Sequence, residues 1–596
     1  MDLSRFNAEY FEAKAPEVFR LARRCRTLED FRKKLAWLCH NLEHQTFDEY
    51  EAFSSASIVR VRDCAEAISR MLTRRSEDES GFSVAKAIRD VATGKSRSDL
   101  SPAFYADVLH LFLGLQGRGP GSSLSDAFLM TSRKTGRDAA RERSRHLDDL
   151  WAEVNLRLNR IPCGLTDDAR ERRAGRRRRI LQALGGGEAD WNDWQWQVRH
   201  LARTGDAIES HTPLTDEERE AIRRAGALGL PFGVTPHYLS LMDDDPAAGR
   251  DRAVRAQVLP PLSYVEHIQT TGRSTGCLDF MRESDTSPVD LITRRYPAIC
   301  IFKPFNTCPQ ICVYCQRNWE IDDAMAPGAL APSDKIEAAL RWIQRHPVIH
   351  EVLITGGDPL AMDDENLEWI LRAVAAIPSV ERIRIGSRVP VTLPMRITEE
   401  LAGLLGSLRE PGRRQVSLVT HVQHAYELTH DTVTAVERLR SQGIPVFNQL
   451  VYTFHVSRRF EAAFLRRQLA LIGIEPYYTF CAKGKHETAA YRVPIARLLQ
   501  EQFEESRLMP GLTRTDEAVF NVPGLGKNYL RARQRRDLIS ILPNGSRLYE
   551  FHPWDRHVSR EVKNYVGEDV PILEYLQQLE RIGEDVADYQ TLWYYI

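Results

Sequence analysis

Apolar positions along the 596-residue chain follow two periods, and the change between them divides it. Over residues 1 to about 165 the period is helical. Phe31, Leu35, Leu38 and Leu42 recur behind Thr27, whose pairing with Asp30 resembles a helix start signal. Similar amphipathic stretches occupy 59–72 and 146–158, and the glycines and serines at 117–123 predict a loop between helices. This part carries no chemical motif and reads as an all-helical accessory or oligomerisation region. From about 298 to 480 the pattern shortens. Apolar, β-branched runs at 300–305, 352–355, 382–386, 416–421, 446–451 and 476–480 alternate with helical patterns at 334–345, 366–376, 398–408, 432–442 and 459–472. Such alternation predicts an α/β architecture, a parallel sheet with crossover helices. A closed or partial barrel and an open doubly wound sheet both satisfy it, and in either case ligands sit beyond the C-terminal ends of the strands. Cys308 follows the first of these strands, Gly356-Gly357-Asp358 the second and His421 the fourth.

Charge and composition narrow the classes. Lys and Arg number 81 against 82 Asp and Glu, so a net charge of -1 supplies no general attraction to nucleic acid or to an anionic membrane. With 43% hydrophobic and 27% charged residues the chain is a globular protein, not a fibrous or disordered one. The basic run at 170–179 could bind phosphates, but it reads more simply as a solvated helix face or linker, with the glycines at 185–187 as a boundary. The first residues carry acids where a secretory signal needs a basic and then an apolar stretch, and no run approaches 18 apolar residues. A cytoplasmic protein is expected.

Seven of the ten cysteines are scattered singly; Cys308, Cys312 and Cys315 crowd into one Cys-x₃-Cys-x₂-Cys loop. Three thiolates this close can hold three irons of a [4Fe–4S] cluster and leave the fourth iron open to a small molecule. A structural zinc would take a fourth protein ligand, and none lies nearby in sequence. The spacing favours the open cluster over zinc.

This loop after the first strand of a βα repeat resembles the radical S-adenosylmethionine enzymes, and Gly356, Gly357 and Asp358 resemble their glycine-rich segment for the methionyl amino group. A closer resemblance, from about 190 to about 555, is to the lysine 2,3-aminomutase family. It rests on segments at 192–197, 234–238, 287–289, 295–297, 384–390 and 523–527. It implies a partial (β/α)6 barrel with an additional all-helical N-terminal domain. The expected divisions are 1–187 helical, 188–297 lead-in, 298–485 barrel core and 486–596 the segment with the cofactor lysine. It also implies pyridoxal 5′-phosphate bound through a Schiff base to Lys527, with Arg295 on the cofactor phosphate and Arg317 on the substrate α-carboxylate. The family's Asp-Arg after the Tyr-Pro is here Ala298-Ile299, the loss of one cation near that phosphate.

Two aspartates that meet the lysine side chain in the family fall on Lys483 and Asn521, the replacements that glutamate 2,3-aminomutases carry, so an anionic substrate is expected. Lys485, two residues on, could exchange places with Lys483. The implied reaction moves the amino group of L-glutamate from C2 to C3, with a flavodoxin or ferredoxin as electron donor and a homo-oligomer as the assembly. Aspartate, glutamine and lysine are the rival substrates, and a non-catalytic metal-binding scaffold is the rival from another class.

Overall fold

The computed structural model describes residues 4–48, 55–120, 135–272, 279, 281–317, 320–482, 486–514, 517–522, 526–530, 536–552 and 565–596. Its centre is a nine-stranded sheet in sequence order: β1 (Ile292–Tyr296), β2 (Ile299–Phe305), β3 (Glu351–Gly356), β4 (Arg382–Gly386), β5 (Gln415–Thr420), β6 (Val446–Tyr452), β7 (Ile474–Cys481), β8 (Glu517–Val522) and β9 (Gly526–Tyr529). Strands β2 to β8 run parallel, and an antiparallel strand closes each edge. Helices Ser333–Gln344, Asp364–Ala375, Glu399–Ser407, His430–Ser441, Glu461–Leu471 and Ile495–Gln500 make the six crossovers. The architecture is therefore the expected partial (β/α)6 barrel with a helical N-terminal region.

Side-chain alternation creates its two faces. Val352, Ile354, Ile383, Ile385, Val416 and Leu418 are buried in the apolar core. Their neighbours Leu353, Thr355, Arg384, Gly386, Ser417 and Val419 line an interior cavity of about 1170 Å³. The register brings Leu353, Arg384 and Ser417 side by side, so the inner wall is a mixed layer of apolar, cationic and hydroxyl groups. The basic run forms the helix Asp167–Ala183, whose arginines engage this chain's own acids: Arg170 with Asp167, Arg176 with Asp243, Arg177 with Glu188 and Arg179 with Asp244. Among the described residues, no helix is long and apolar enough to cross a membrane.

A second sheet, β10 (Arg536–Ile541), β11 (Arg547–Phe551) and β12 (Tyr565–Glu568), is antiparallel and receives the N-terminal helices. Helix Pro102–Leu115 is buried on nearly every face; Ser101 caps it and Pro102 begins it. Asp107 on this helix meets Arg547 of β11 through two 2.8 Å hydrogen bonds, both residues fully buried. Arg547 also donates to the carbonyls of Trp593 and Tyr595. Arg70 and Arg75 reach Asp537 and Glu550 on the same sheet, and His110 stacks on Trp593. One apolar core runs continuously from these helices through the second sheet and into the barrel.

Asp569, just past β12, accepts the Ile495 N–H at the start of the last crossover helix (2.9 Å). Burial pushes its carboxyl up from 3.8 to about 7, against the hydrogen bonds that favour the anion. The folded chain thus holds a proton that the unfolded chain releases near pH 3.8, so this group's contribution to stability falls as pH rises from about 4 to about 7 and is flat above. Asp569→Asn keeps the acceptor and removes the charge. The variant should match the wild type in urea near pH 4 and exceed it at pH 8 by up to about 4 kcal/mol; an advantage that does not grow with pH refutes the assignment.

Candidate active site

The cysteine loop leaves the C-terminal end of β2 and is fastened on both sides. Ile311 N–H donates to Gly233 O (3.2 Å) and Val313 N–H to Gln257 O (2.8 Å), both in the segment preceding the sheet. On the other side lies the end of β3. Gly357 N–H donates to Phe305 O and Asp358 N–H to Thr307 O, each at 2.8 Å. This closeness explains the two glycines. Gly356 has φ +124°, and a Cβ on it would lie 2.8 Å from Phe305 O; a Cβ on Gly357 would lie 2.1 Å from Thr307 O. The Asp358 side chain caps the turn Pro359–Ala361 and accepts the Arg388 N–H (2.7 Å), tying the ends of β3 and β4 together. Burial raises its pKa, opposed by the hydrogen bonds from Ser387 and from the backbone.

Cys308, Cys312, Cys315, Gly356, Gly357, Asp358, Arg295 and Arg317 all line the one cavity. Burial pushes the Cys308 thiol well above its ordinary range, and Asp358 and the other two cysteines add to the effect. Burial raises Cys312 as well, while the Arg388 guanidinium opposes it. The Arg317 guanidinium is held by Glu283 (2.9 Å) and Glu320, with its Nε–H buried and without an acceptor among the described residues. Arg295 donates through Nη2 to Met281 O (2.6 Å), and its Nη1 is buried and likewise without a partner among the described residues. Asn521 and Lys527 are cross-strand partners in the β8–β9 register, beside the wall strand β7. Lys483 and Lys485 lie outside the described residues.

Several wall residues carry no role in the sequence reading. Arg388, inside a motif quoted above only for its resemblance, donates from Nη1 to Cys312 Sγ (2.9 Å). Tyr314, between the second and third cysteines, donates to Gln257 Oε1 (3.0 Å) and lies 3.2 Å from His421 Nε2. Burial first, then Arg388, lowers His421 to about 3, so its ring is neutral at pH 7. Gln310, between the first two cysteines, is buried, borders the cavity and has no partner for either amide atom among the described residues. Deeper in, Arg384 reaches Glu351 (3.2 Å) and the Tyr477 hydroxyl (3.0 Å).

The sequence pattern of the radical SAM superfamily matches residues 302–461, which hold the end of β2, the loop and β3 to β6. An uncharacterized KamA family protein of Methanocaldococcus jannaschii is 39% identical over 607 residues, covering 97% of this chain and 96% of that one. The chain belongs to the KamA family of radical SAM aminomutases. Other relatives in this family match a smaller share. The L-lysine 2,3-aminomutase of Clostridium subterminale is 33% identical over 320 residues, 52% of this chain and 71% of that enzyme. The glutamate 2,3-aminomutase of Clostridioides difficile is 32% identical over 321 residues, 54% of this chain and 72% of that enzyme. The M. jannaschii alignment thus takes in the N-terminal helices as well.

Membership in the radical SAM superfamily implies a [4Fe–4S] cluster and S-adenosylmethionine, and the loop fits them. The three cysteines of the loop line one cavity together, as ligands to three irons of such a cluster must, and the Arg388 donor on Cys312 suits a thiolate. The orphaned Gln310 amide, costing about 1–3 kcal/mol if left unmatched, borders the space such a group would fill.

Proposed function

We propose that this chain is a pyridoxal phosphate-dependent glutamate 2,3-aminomutase that converts L-glutamate to β-glutamate. The supporting observation is the state of the charges in the cavity wall. Three of the four described carboxylates there are engaged: Glu283 by Arg317 and Lys303, Glu351 by Arg382 and Arg384, and Asp358 by backbone N–H groups; the fourth, Glu381, is exposed beside His350. Arg295 Nη1 and Arg317 Nε, by contrast, are buried donors without acceptors among the described residues. A lysine ammonium would find only the exposed Glu381 without a cation or backbone partner in the described wall, whereas anionic groups would meet buried donors that need them.

In this reading Arg295 holds the cofactor phosphate, Arg317 the substrate α-carboxylate, and Lys483 with Asn521 the side-chain carboxylate. Lys527 forms the covalent link to the cofactor, and Cys308, Cys312 and Cys315 hold the irons after losing their protons. When bound, the cluster with S-adenosylmethionine supplies one-electron hydrogen abstraction, and pyridoxal phosphate supplies the conjugated carbonyl that carries the migrating nitrogen. The chain's own contribution is binding, orientation and exclusion of water. Ile301, Leu353, Val419, Val451 and Phe480 give the cavity an apolar lining, and neutral His421 adds no charge beside the loop. A reduced flavodoxin or ferredoxin serves as electron donor.

The test is anaerobic incubation of the reconstituted chain with reductant, S-adenosylmethionine, pyridoxal phosphate and separate amino acids, followed by chiral analysis of β-amino products. Glutamate should be converted, and lysine at least about 100-fold less efficiently, the discrimination expected of a charge mismatch in a pocket. Conversion of lysine, aspartate or glutamine in preference to glutamate would overturn the substrate assignment.

A further inference from the structure

Glu427 is wholly buried in a short turn just past β5, yet none of its neighbours in sequence bears a charge that would pair with it. Its partners come from elsewhere in the fold. Oε1 accepts from Arg388 Nη2 (2.6 Å), the Tyr238 hydroxyl (2.6 Å) and the Gln257 amide. Oε2 accepts the backbone N–H groups of Gln423 (2.6 Å) and His424 (3.3 Å). Arg388 is fixed just as fully. Its Nε donates to His421 O (3.1 Å), its backbone N–H to Asp358, and its remaining terminal nitrogen meets Cys312 Sγ. An ion pair this deep is not the cheapest way to stabilise a core, because desolvating both charges costs several kcal/mol. What this arrangement achieves geometrically is a guanidinium held immobile, with one arm on a carboxylate and the other on a sulphur.

We propose that Arg388 is a positioning residue which, buttressed by Glu427, sets the reduction potential of the iron–sulphur centre through its N–H···S bond to Cys312. Reduction adds one negative charge to the cluster. A cation and a hydrogen-bond donor at a ligating sulphur stabilise the reduced form and raise its potential. Glu427 carries the opposite charge behind the guanidinium and partly offsets that gain, so the two side chains act in opposite directions. The segment preceding the sheet joins in the same place: Tyr238 and Gln257 bind Glu427, and Gln257 also takes the Val313 N–H and the Tyr314 hydroxyl of the cysteine loop. The potential is therefore tied to how that segment seats against the loop.

The inference rests on the reading that the loop holds a [4Fe–4S] cluster, so iron and sulphide are counted first on the full-length reconstituted chain. Fewer than about four irons in the wild type would sink the cluster reading itself. With the cluster present, midpoint potentials are measured by an anaerobic redox titration followed by electron paramagnetic resonance, without substrate. Arg388→Gln should make reduction at least tenfold less favourable, about 59 mV for one electron. Arg388→Lys should move it the same way by less, and Glu427→Gln should move it in the positive direction. If R388Q fails to hold iron, R388K and E427Q decide by the same opposed signs. Shifts of the same sign in the two positions, or potentials unchanged in both, would overturn the proposal, since a merely structural role predicts no such opposition.

Discussion

Gly357→Ala is expected to empty the cysteine loop of most of its iron and to lower turnover at least about 100-fold, the loss that a misplacement of about 1 Å produces at a reacting centre. The added methyl would lie 2.1, 2.3 and 2.6 Å from the O, N and C atoms of Thr307, where ordinary contact begins at 3.4 Å. These are backbone atoms, so no side-chain rotation relieves the overlap. Thr307 cannot retreat freely either: its carbonyl accepts the Asp358 N–H, and its hydroxyl donates to Asp323 O (2.8 Å). The clash must therefore move the first residues of the loop, and Cys308 is the next residue in the chain. Iron analysis and the aminomutase assay on purified G357A read this directly. Wild-type iron content together with a wild-type rate would show that the close approach of β3 to the loop does not matter.

Asp107→Ala is expected to cost about 3–5 kcal/mol of folding stability, the usual penalty for leaving one member of a buried ion pair alone. Arg547 would keep its hydrogen bonds to the Trp593 and Tyr595 carbonyls but lose both carboxylate contacts. The double replacement Asp107→Leu with Arg547→Met should recover much of the loss, because two apolar groups bury no stranded charge. Urea midpoints of the three chains measure both effects. A loss below about 1 kcal/mol in D107A would place this pair with ordinary surface ion pairs.

Most of the barrel was legible along the chain because its first five crossovers repeat a local pattern. An apolar run of about four to six residues precedes an amphipathic helix, and parallel strands need such a connection. The run at 382–386 coincides with β4, and the other predicted strands match theirs to within two residues at each end. β1, β8, β9 and the sixth crossover helix were not legible. β1 and β9 are edge strands of five and four residues and the helix Ile495–Gln500 has six, too short for a period to show. The second sheet escaped for another reason: its partners are helices hundreds of residues earlier, and no local period reports a contact of that span. In the site, the cysteines and glycines were readable because their spacing is itself the signal. Glu427 was not. Charged residues inside a core contradict the hydrophobic pattern from which cores are read, and its partners Arg388, Tyr238 and Gln257 are brought together only by the fold.

The contact between Asp107 and Arg547 spans 440 residues. At about 5–20 residues per second, a ribosome needs about 20–90 s to make the chain between them. For that interval the helix Pro102–Leu115, apolar on nearly all sides, exists without the sheet that covers it. The nascent N-terminal helices must either close provisionally on themselves or be shielded by a chaperone. Vectorial synthesis thus leaves this region's packing to the last, after every strand of the barrel has emerged.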